Sequence, residues 1–204
     1  MPPTQVVRVD AAAPDLGVIR QAAQLLRAGA LVAFPTETFY ALGAAGLDAA
    51  AARRVFAAKG RPSSMPLLLL VDSRAMAASV AATIPAHALE LMDRHWPGAL
   101  SLVLPAGRGV PVEVTAGTGT VGVRVSAHPV ARALVRALGE PVTAPSANPT
   151  GGAPPVTAAE VLAHLDGVID LILDAGPTPG GAPSTVLDVT VDPPRLLRQG
   201  AVLV

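Results

Sequence analysis

Residues 30–71 read ALVAFPTETFYALGAAGLDAAAARRVFAAKGRPSSMPLLLLV, and the punctuation of this stretch decides the fold class. Ala30 to Phe34 is a short apolar run of the kind that forms a buried strand. Asp48 is a natural N-cap for the helix AAAARRVFAAK, which Gly60 and Pro62 bring to an end. Leu67 to Val71 is a second buried run, so the segment reads strand, helix, strand, the unit of an α/β protein.

The same alternation continues on both sides. Upstream, Asp15 caps a helix whose apolar positions Val18, Ile19, Ala22, Leu25 and Leu26 follow helical spacing, and Gly29 closes it. Downstream, helices are expected within 72–82 and 85–96, before the strand SLVL at 101–104. TVGVRV (120–125) is a strand, HPVARALVRALG (128–139) a helix ending at Gly139, and PVTAP (141–145) a strand. VTAAEVLAHL (156–165) is a further helix, and LILDAG (171–176) and STVLDVTV (184–191) are late strands. Because some strands are joined by helices and others directly, the expectation is one mixed, partly antiparallel sheet flanked by helices. No internal repeat or domain-sized linker interrupts it, so a single domain over 1–204 is expected. The Pro/Gly-rich segments 148–155 and 176–183 are long loops, where function often resides.

Composition narrows the function classes. With 51% apolar residues in 204, the chain can bury a sizeable core, built from Leu, Val and Ala because only three Phe, one Tyr and one Trp are present. No apolar run approaches the ~20 residues of a membrane span, and MPPTQVVRVD lacks the basic start and apolar stretch of a signal peptide, so a cytoplasmic protein without membrane contact is expected. Zero cysteines exclude disulfides, thiolate catalysis and cysteine-ligated zinc. Formal net charge is zero, which argues against a surface built wholly for nucleic acid. The charge is uneven, however: residues 50–140 hold ten Lys/Arg against five Asp/Glu.

Several motif matches fail on context. GTGTVG (117–122) matches the dinucleotide fingerprint letter by letter, yet it leads into a strand instead of following one. The order Lys-Gly-Arg at 59–61 is not a phosphate loop, which needs Gly-Lys-Ser/Thr. His87, His95, His128 and His164 carry no metal spacing, and there is no GxSxG elbow. No protein-bound metal is therefore expected.

What remains is polar residues beside buried strands. Thr36, Thr38 and Tyr40 in FPTETFYALG alternate, and share a face if the chain stays extended. In TVGVRV the valines 121, 123 and 125 fill one face, leaving Thr120, Gly122 and Arg124 on the other, a charged floor with room above the glycine. Ser146 and Asn148 emerge where the strand PVTA gives way to a glycine-rich loop, and strand ends are where open α/β sheets bind ligands. Turn chemistry alone accounts for each piece taken singly. Lys59 is the only lysine beside fourteen arginines. A helix C-terminus favours any cation, but a compact ammonium on a flexible stem suits a phosphate, and Arg61 could add a bidentate fork.

In order and spacing, FPTETFYALG, KGRPSSMPL, TVGVRVSAHP, APSANPTGG, STVLDV and LLRQGAV resemble the YrdC-like threonylcarbamoyl-AMP synthase family, from about residue 15 onward. The resemblance implies an open, twisted α/β sheet around a basic concave cavity. It implies an enzyme that makes threonylcarbamoyl-adenylate and pyrophosphate from ATP, L-threonine and bicarbonate, with Mg2+ arriving on the nucleotide. A downstream threonylcarbamoyl transferase complex then modifies adenosine 37 of tRNA. Carried over by position, ATP falls on Lys59, Arg61, Thr120, Ser146, Asn148 and Arg198, with Lys59 and Arg61 as the catalytic cations. L-Threonine falls on Thr36, Thr38, Arg124 and Ser184. Ala41 stands where glycine is usual, and Leu70 where some members carry a threonine-contacting histidine. The chain resembles the short, single-domain form, whose site is expected to be loop-covered or open. Two other classes stay in view: a diverged family member with another carbamoyl-adenylation substrate, and an RNA-binding module making weak tRNA contact.

Overall fold

Residues 3–204 are described by a computed structural model. The first layer is a four-stranded sheet of β1 (Gln5–Arg8), β2 (Val32–Pro35), β3 (Tyr40–Gly43) and β8 (Leu171–Asp174), in the order β1-β8-β2-β3. The second has six strands: β4 (Leu68–Leu70), β5 (Leu100–Pro105), β6 (Thr120–Arg124), β7 (Val142–Thr143), β9 (Thr185–Asp188) and β10 (Arg195–Arg198). Their order is β10-β9-β5-β6-β4-β7. The expected single sheet is thus two mixed sheets, each with parallel and antiparallel pairs.

A short lacing segment explains how two sheets can read as one in the sequence. Residues 141–147 leave β7 and run along the free edge of β3: the Leu42 amide donates to the Pro145 carbonyl at 2.7 Å, and the Ala147 amide to the Tyr40 carbonyl at 2.9 Å. The Thr143 hydroxyl donates to the Leu42 carbonyl and accepts from the Ala44 amide. Backbone groups at both sheet edges are satisfied in this way, as buried polar groups must be.

Among the described residues seven helices cover the sheets: α1 (Leu16–Arg27), α2 (Ala49–Lys59), α3 (Arg74–Val80), α4 (Ala86–His95), α5 (Val112–Thr115), α6 (Pro129–Leu138) and α7 (Ala158–Leu165). Asp15 and Asp48 cap α1 and α2 as expected, each accepting from two first-turn amides. Gly60 closes α2 in the left-handed conformation, φ 56°, which an L side chain rarely adopts. His128, without metal spacing, caps α6 by accepting the Val130 amide on Nδ1.

Two apolar clusters follow. Val121, Val123 and Val125 point into the larger one with Leu100, Leu102 and Leu104 from β5, which bears out the alternation expected for β6. The second packs α1 and α6 against Val32 and Phe34 of β2 and Leu171 and Leu173 of β8. The opposite face of β6, with Gly122 and Arg124, is left to form the site.

Candidate active site

A cavity of about 700 Å3 opens on that face, within the range of small-molecule sites. Its lining brings together eight of the ten residues singled out from the sequence: Thr36, Thr38, Arg61, Thr120, Arg124, Ser146, Ser184 and Arg198. Pro154 and Pro183, from the two long loops, also line it. Ala41 adds its methyl to the wall and is bridged to Ser146.

Arg124 forms the floor. Its side chain is only 3% exposed, and none of its N–H groups is hydrogen-bonded among the described residues. Glu37 Oε1 lies 3.2 Å from Nη1 as an ion pair without hydrogen-bond alignment, and Arg124 Nε and Glu37 Oε1 are both buried and unbonded. Burial lowers the Arg124 pKa from its usual value, Glu37 opposes that shift, and the Arg198 charge adds to it. Glu37 Oε2 is held by the Ser126 hydroxyl and, at 3.2 Å, by the Ala127 amide. A buried guanidinium with its donors unused is a receptor for a planar anion.

The Thr36–Tyr40 segment differs from expectation. It is a tight turn between β2 and β3, not an extended run. The Thr36 and Thr38 hydroxyls still meet, 3.0 Å apart, because the turn folds them together. Thr36 spends its hydroxyl on the turn, donating to the Phe39 carbonyl at 2.7 Å, whereas the Thr38 hydroxyl has no partner among the described residues except that of Thr36. Tyr40 turns its hydroxyl away to the Gly176 carbonyl at 2.7 Å, and burial pushes its pKa up to about 12.

Lys59 and Asn148 also sit elsewhere than expected, behind the wall. The Lys59 ammonium, 3% exposed, donates to the carbonyls of Ser146 and Asn148 at 2.5 Å each. Two loop carbonyls compensate the buried charge, and burial, then the Arg61 charge, lower the Lys59 pKa to about 8. Asn148 braces the following loop through Nδ2 to Pro149 and Gly152. Arg61 closes its own loop on the Met65 and Pro66 carbonyls while lining the cavity.

On the far wall, Arg198 donates to the Ser184 carbonyl at 3.0 Å and hydroxyl at 2.9 Å, and Ser101 lies 3.0 Å from that hydroxyl. Thr118 and Thr120 pair their hydroxyls at 2.9 Å. Leu70 is wholly buried in the second cluster and does not line the cavity, whereas Leu68, one pleat earlier on the strand, does. Sequence reasoning missed Glu37, in plain view inside PTET, and Asp188, which lines the cavity with its carboxylate engaged by Thr190 and Arg195. The signal available for both was an acidic residue set among hydroxyls at a strand end.

Fold and cavity define a class: a mixed-sheet α/β protein whose small-molecule site gathers arginines and hydroxyls at strand ends. The family model Sua5/YciO/YrdC, described as telomere recombination, matches residues 24–200, and the chain belongs to this family. A Pyrococcus abyssi protein named threonylcarbamoyl-AMP synthase is 47% identical over 182 residues, 89% of this chain and 54% of the relative. The crystal structure of P. abyssi Sua5 complexed with L-threonine superposes with a TM-score of 0.94 at 44% identity, covering 97% of this chain and 58% of that one. Escherichia coli YciO matches with a TM-score of 0.88 at 29% identity, covering 97% and 96%. The chain thus spans about half the length of the first curated relatives it matches.

Proposed function

We propose that the chain is an L-threonylcarbamoyladenylate synthase, joining L-threonine, bicarbonate or CO2, and ATP into threonylcarbamoyl-AMP and pyrophosphate. The observation that carries the reading is Arg124: a buried guanidinium paired with Glu37 but without hydrogen bonds among the described residues, at the floor of a cavity whose other cations there are Arg61, Arg195 and Arg198. One fork suits the amino-acid carboxylate, and the remaining cations suit a polyphosphate. The relatives named for this activity support it.

The chemistry asks little covalent work of the protein. The threonine amine takes up CO2 and loses a proton to give a carbamate. A carbamate oxygen then attacks the α-phosphorus, and the bond to the β-phosphate bridging oxygen breaks as pyrophosphate leaves. Alignment and charge stabilisation are the protein's share. Arg124 and the Thr38 hydroxyl hold threonine, with Ser184 beside it. Arg61, Arg198, Thr120 and Ser146 face the nucleotide. Lys59, Asn148 and Thr36 act by bracing the walls, because Lys59 Nζ, Asn148 Nδ2 and the Thr36 hydroxyl donate to backbone carbonyls. Among the described residues Asp188 is the one carboxylate lining the cavity, and it is already engaged, so Mg2+ enters on the triphosphate as part of the substrate.

A downstream threonylcarbamoyl transferase complex consumes the product on tRNA, in the cytoplasm. No helix among the described residues is long and apolar enough to cross a membrane. The test is pyrophosphate release from Mg-ATP and bicarbonate, with and without L-threonine, in wild type and Arg124→Lys. Threonine-dependent release that the variant loses is the expected result. Release indifferent to threonine would remove the substrate assignment and favour a diverged member of the family.

A further inference from the structure

The Glu37–Arg124 pair is an unusual floor for a carboxylate site, because the cation meant for the ligand already has a carboxylate beside it. Glu37 Oε1 lies 3.2 Å from Arg124 Nη1. It is fixed there from behind: Ser126 and Ala127, on the turn leading into α6, hold Oε2. It is fixed from in front too, since Glu37 belongs to the turn that carries Thr36 and Thr38. The carboxylate is therefore anchored beside Arg124 through Oε2.

A simple carboxylic acid entering this floor places two carboxylates on one guanidinium, and like charges that close repel. A zwitterion does not: its α-ammonium lies about 3 Å from its own carboxylate and offsets the charge of Glu37. We propose that Glu37 is a positioning residue which, acting through Arg124, makes the cavity select α-amino acids over carboxylates that lack the amine. The proposal rests on the amino-acid reading given above. It assigns Glu37 a purpose beyond compensating a buried cation, since the charge that stabilises the empty floor also rejects the wrong ligand.

Calorimetric binding of L-threonine and 3-hydroxybutyrate, which is threonine without its amine, tests this in wild type and Glu37→Gln. Glutamine keeps an acceptor for Ser126 and Ala127 but removes the charge. Wild type is expected to prefer threonine by more than about tenfold. In Glu37→Gln the preference shrinks about tenfold, mainly because 3-hydroxybutyrate binds more tightly to the uncompensated arginine. Glu37→Asp keeps the charge and the preference. A role in folding alone predicts that both ligands change together, and an unchanged ratio in Glu37→Gln overturns the proposal. Equal binding of the two ligands to wild type overturns it without any variant. Wild type that binds neither ligand removes instead the amino-acid reading on which the proposal stands.

Discussion

Lys59 Nζ lies 2.5 Å from the carbonyl oxygen of Ser146, so the lone lysine grips the backbone of a residue that lines the cavity. The bond to Asn148 makes the grip two-point. Lys59→Met fills the same channel with an apolar chain and leaves both carbonyls without that donor. Catalytic efficiency toward ATP is expected to fall about tenfold or more, while threonine binding without nucleotide changes less than about twofold. Steady-state pyrophosphate release and calorimetry check the two halves, and near wild-type kcat/KM in the variant would make the grip dispensable.

The same lysine gives a pH signature in stability. Burial lowers its pKa to about 8 from 10.5. The folded chain therefore releases this proton first, and between pH 8 and 10.5 the unfolded chain binds more. Below pH 8 the full burial penalty is present, and above 10.5 it is gone. Wild type should gain on Lys59→Met across that window, by at most about 3 kcal/mol. Denaturant unfolding of both at pH 7 and pH 10 measures it, and a difference that stays flat contradicts the buried ammonium.

These bonds also mark what could be read in advance. The α/β alternation, the helix caps and the two faces of β6 follow from local spacing, and they were legible because each depends on neighbours a few residues away. The division into two sheets was not. It depends on β1 pairing with β8, more than 160 residues distant, and on residues 141–147 lacing the edge of β3. Polar residues beside buried strands led to five lining residues, Thr36, Thr38, Thr120, Arg124 and Ser146, and the family resemblance added Ser184 and Arg198, but the strand rule could not separate Thr38, with its hydroxyl nearly free, from Thr36, whose hydroxyl is spent on its own turn. Glu37 escaped because its partners lie far along the chain, Arg124 on the other sheet and Ser126 on the turn that follows it.

Gly200 sits where no side chain fits. A Cβ there would lie 2.2 Å from the Pro183 carbonyl and 2.5 Å from the Ser184 carbonyl carbon. Both obstacles are backbone, so Gly200→Ala must push the 198–202 strap off residues 183–185. A loss of about 1–3 kcal/mol is expected, together with a raised KM for ATP as Arg198 leaves Ser184. Thermal unfolding and kinetics read the two effects, and a variant as stable as wild type contradicts the close approach.

Ser184→Ala isolates one link of the far wall. It removes the hydroxyl shared by Ser101 and Arg198 while the Arg198 bond to the Ser184 carbonyl persists. Two hydrogen bonds of about 0.5–1.5 kcal/mol each are lost: the one from Arg198 should raise KM about two- to twelvefold, and the one with buried Ser101 should lower the melting temperature by a few degrees. A loss of activity beyond about a hundredfold would mean that Ser184 does more than aim Arg198.

The lacing segment 141–147 has a last consequence. Its backbone joins the two sheets, while Ala144, Pro145 and Ser146 line the cavity, so the seam of the molecule is also a wall of its site. Any ligand that fills the cavity acts as a rivet through that seam. Saturation at a hundred times Kd adds about 2.7 kcal/mol to the folded state, and here part of that gain falls on the seam itself. The occupied protein should therefore melt higher than the empty one, by an amount that grows with ligand concentration.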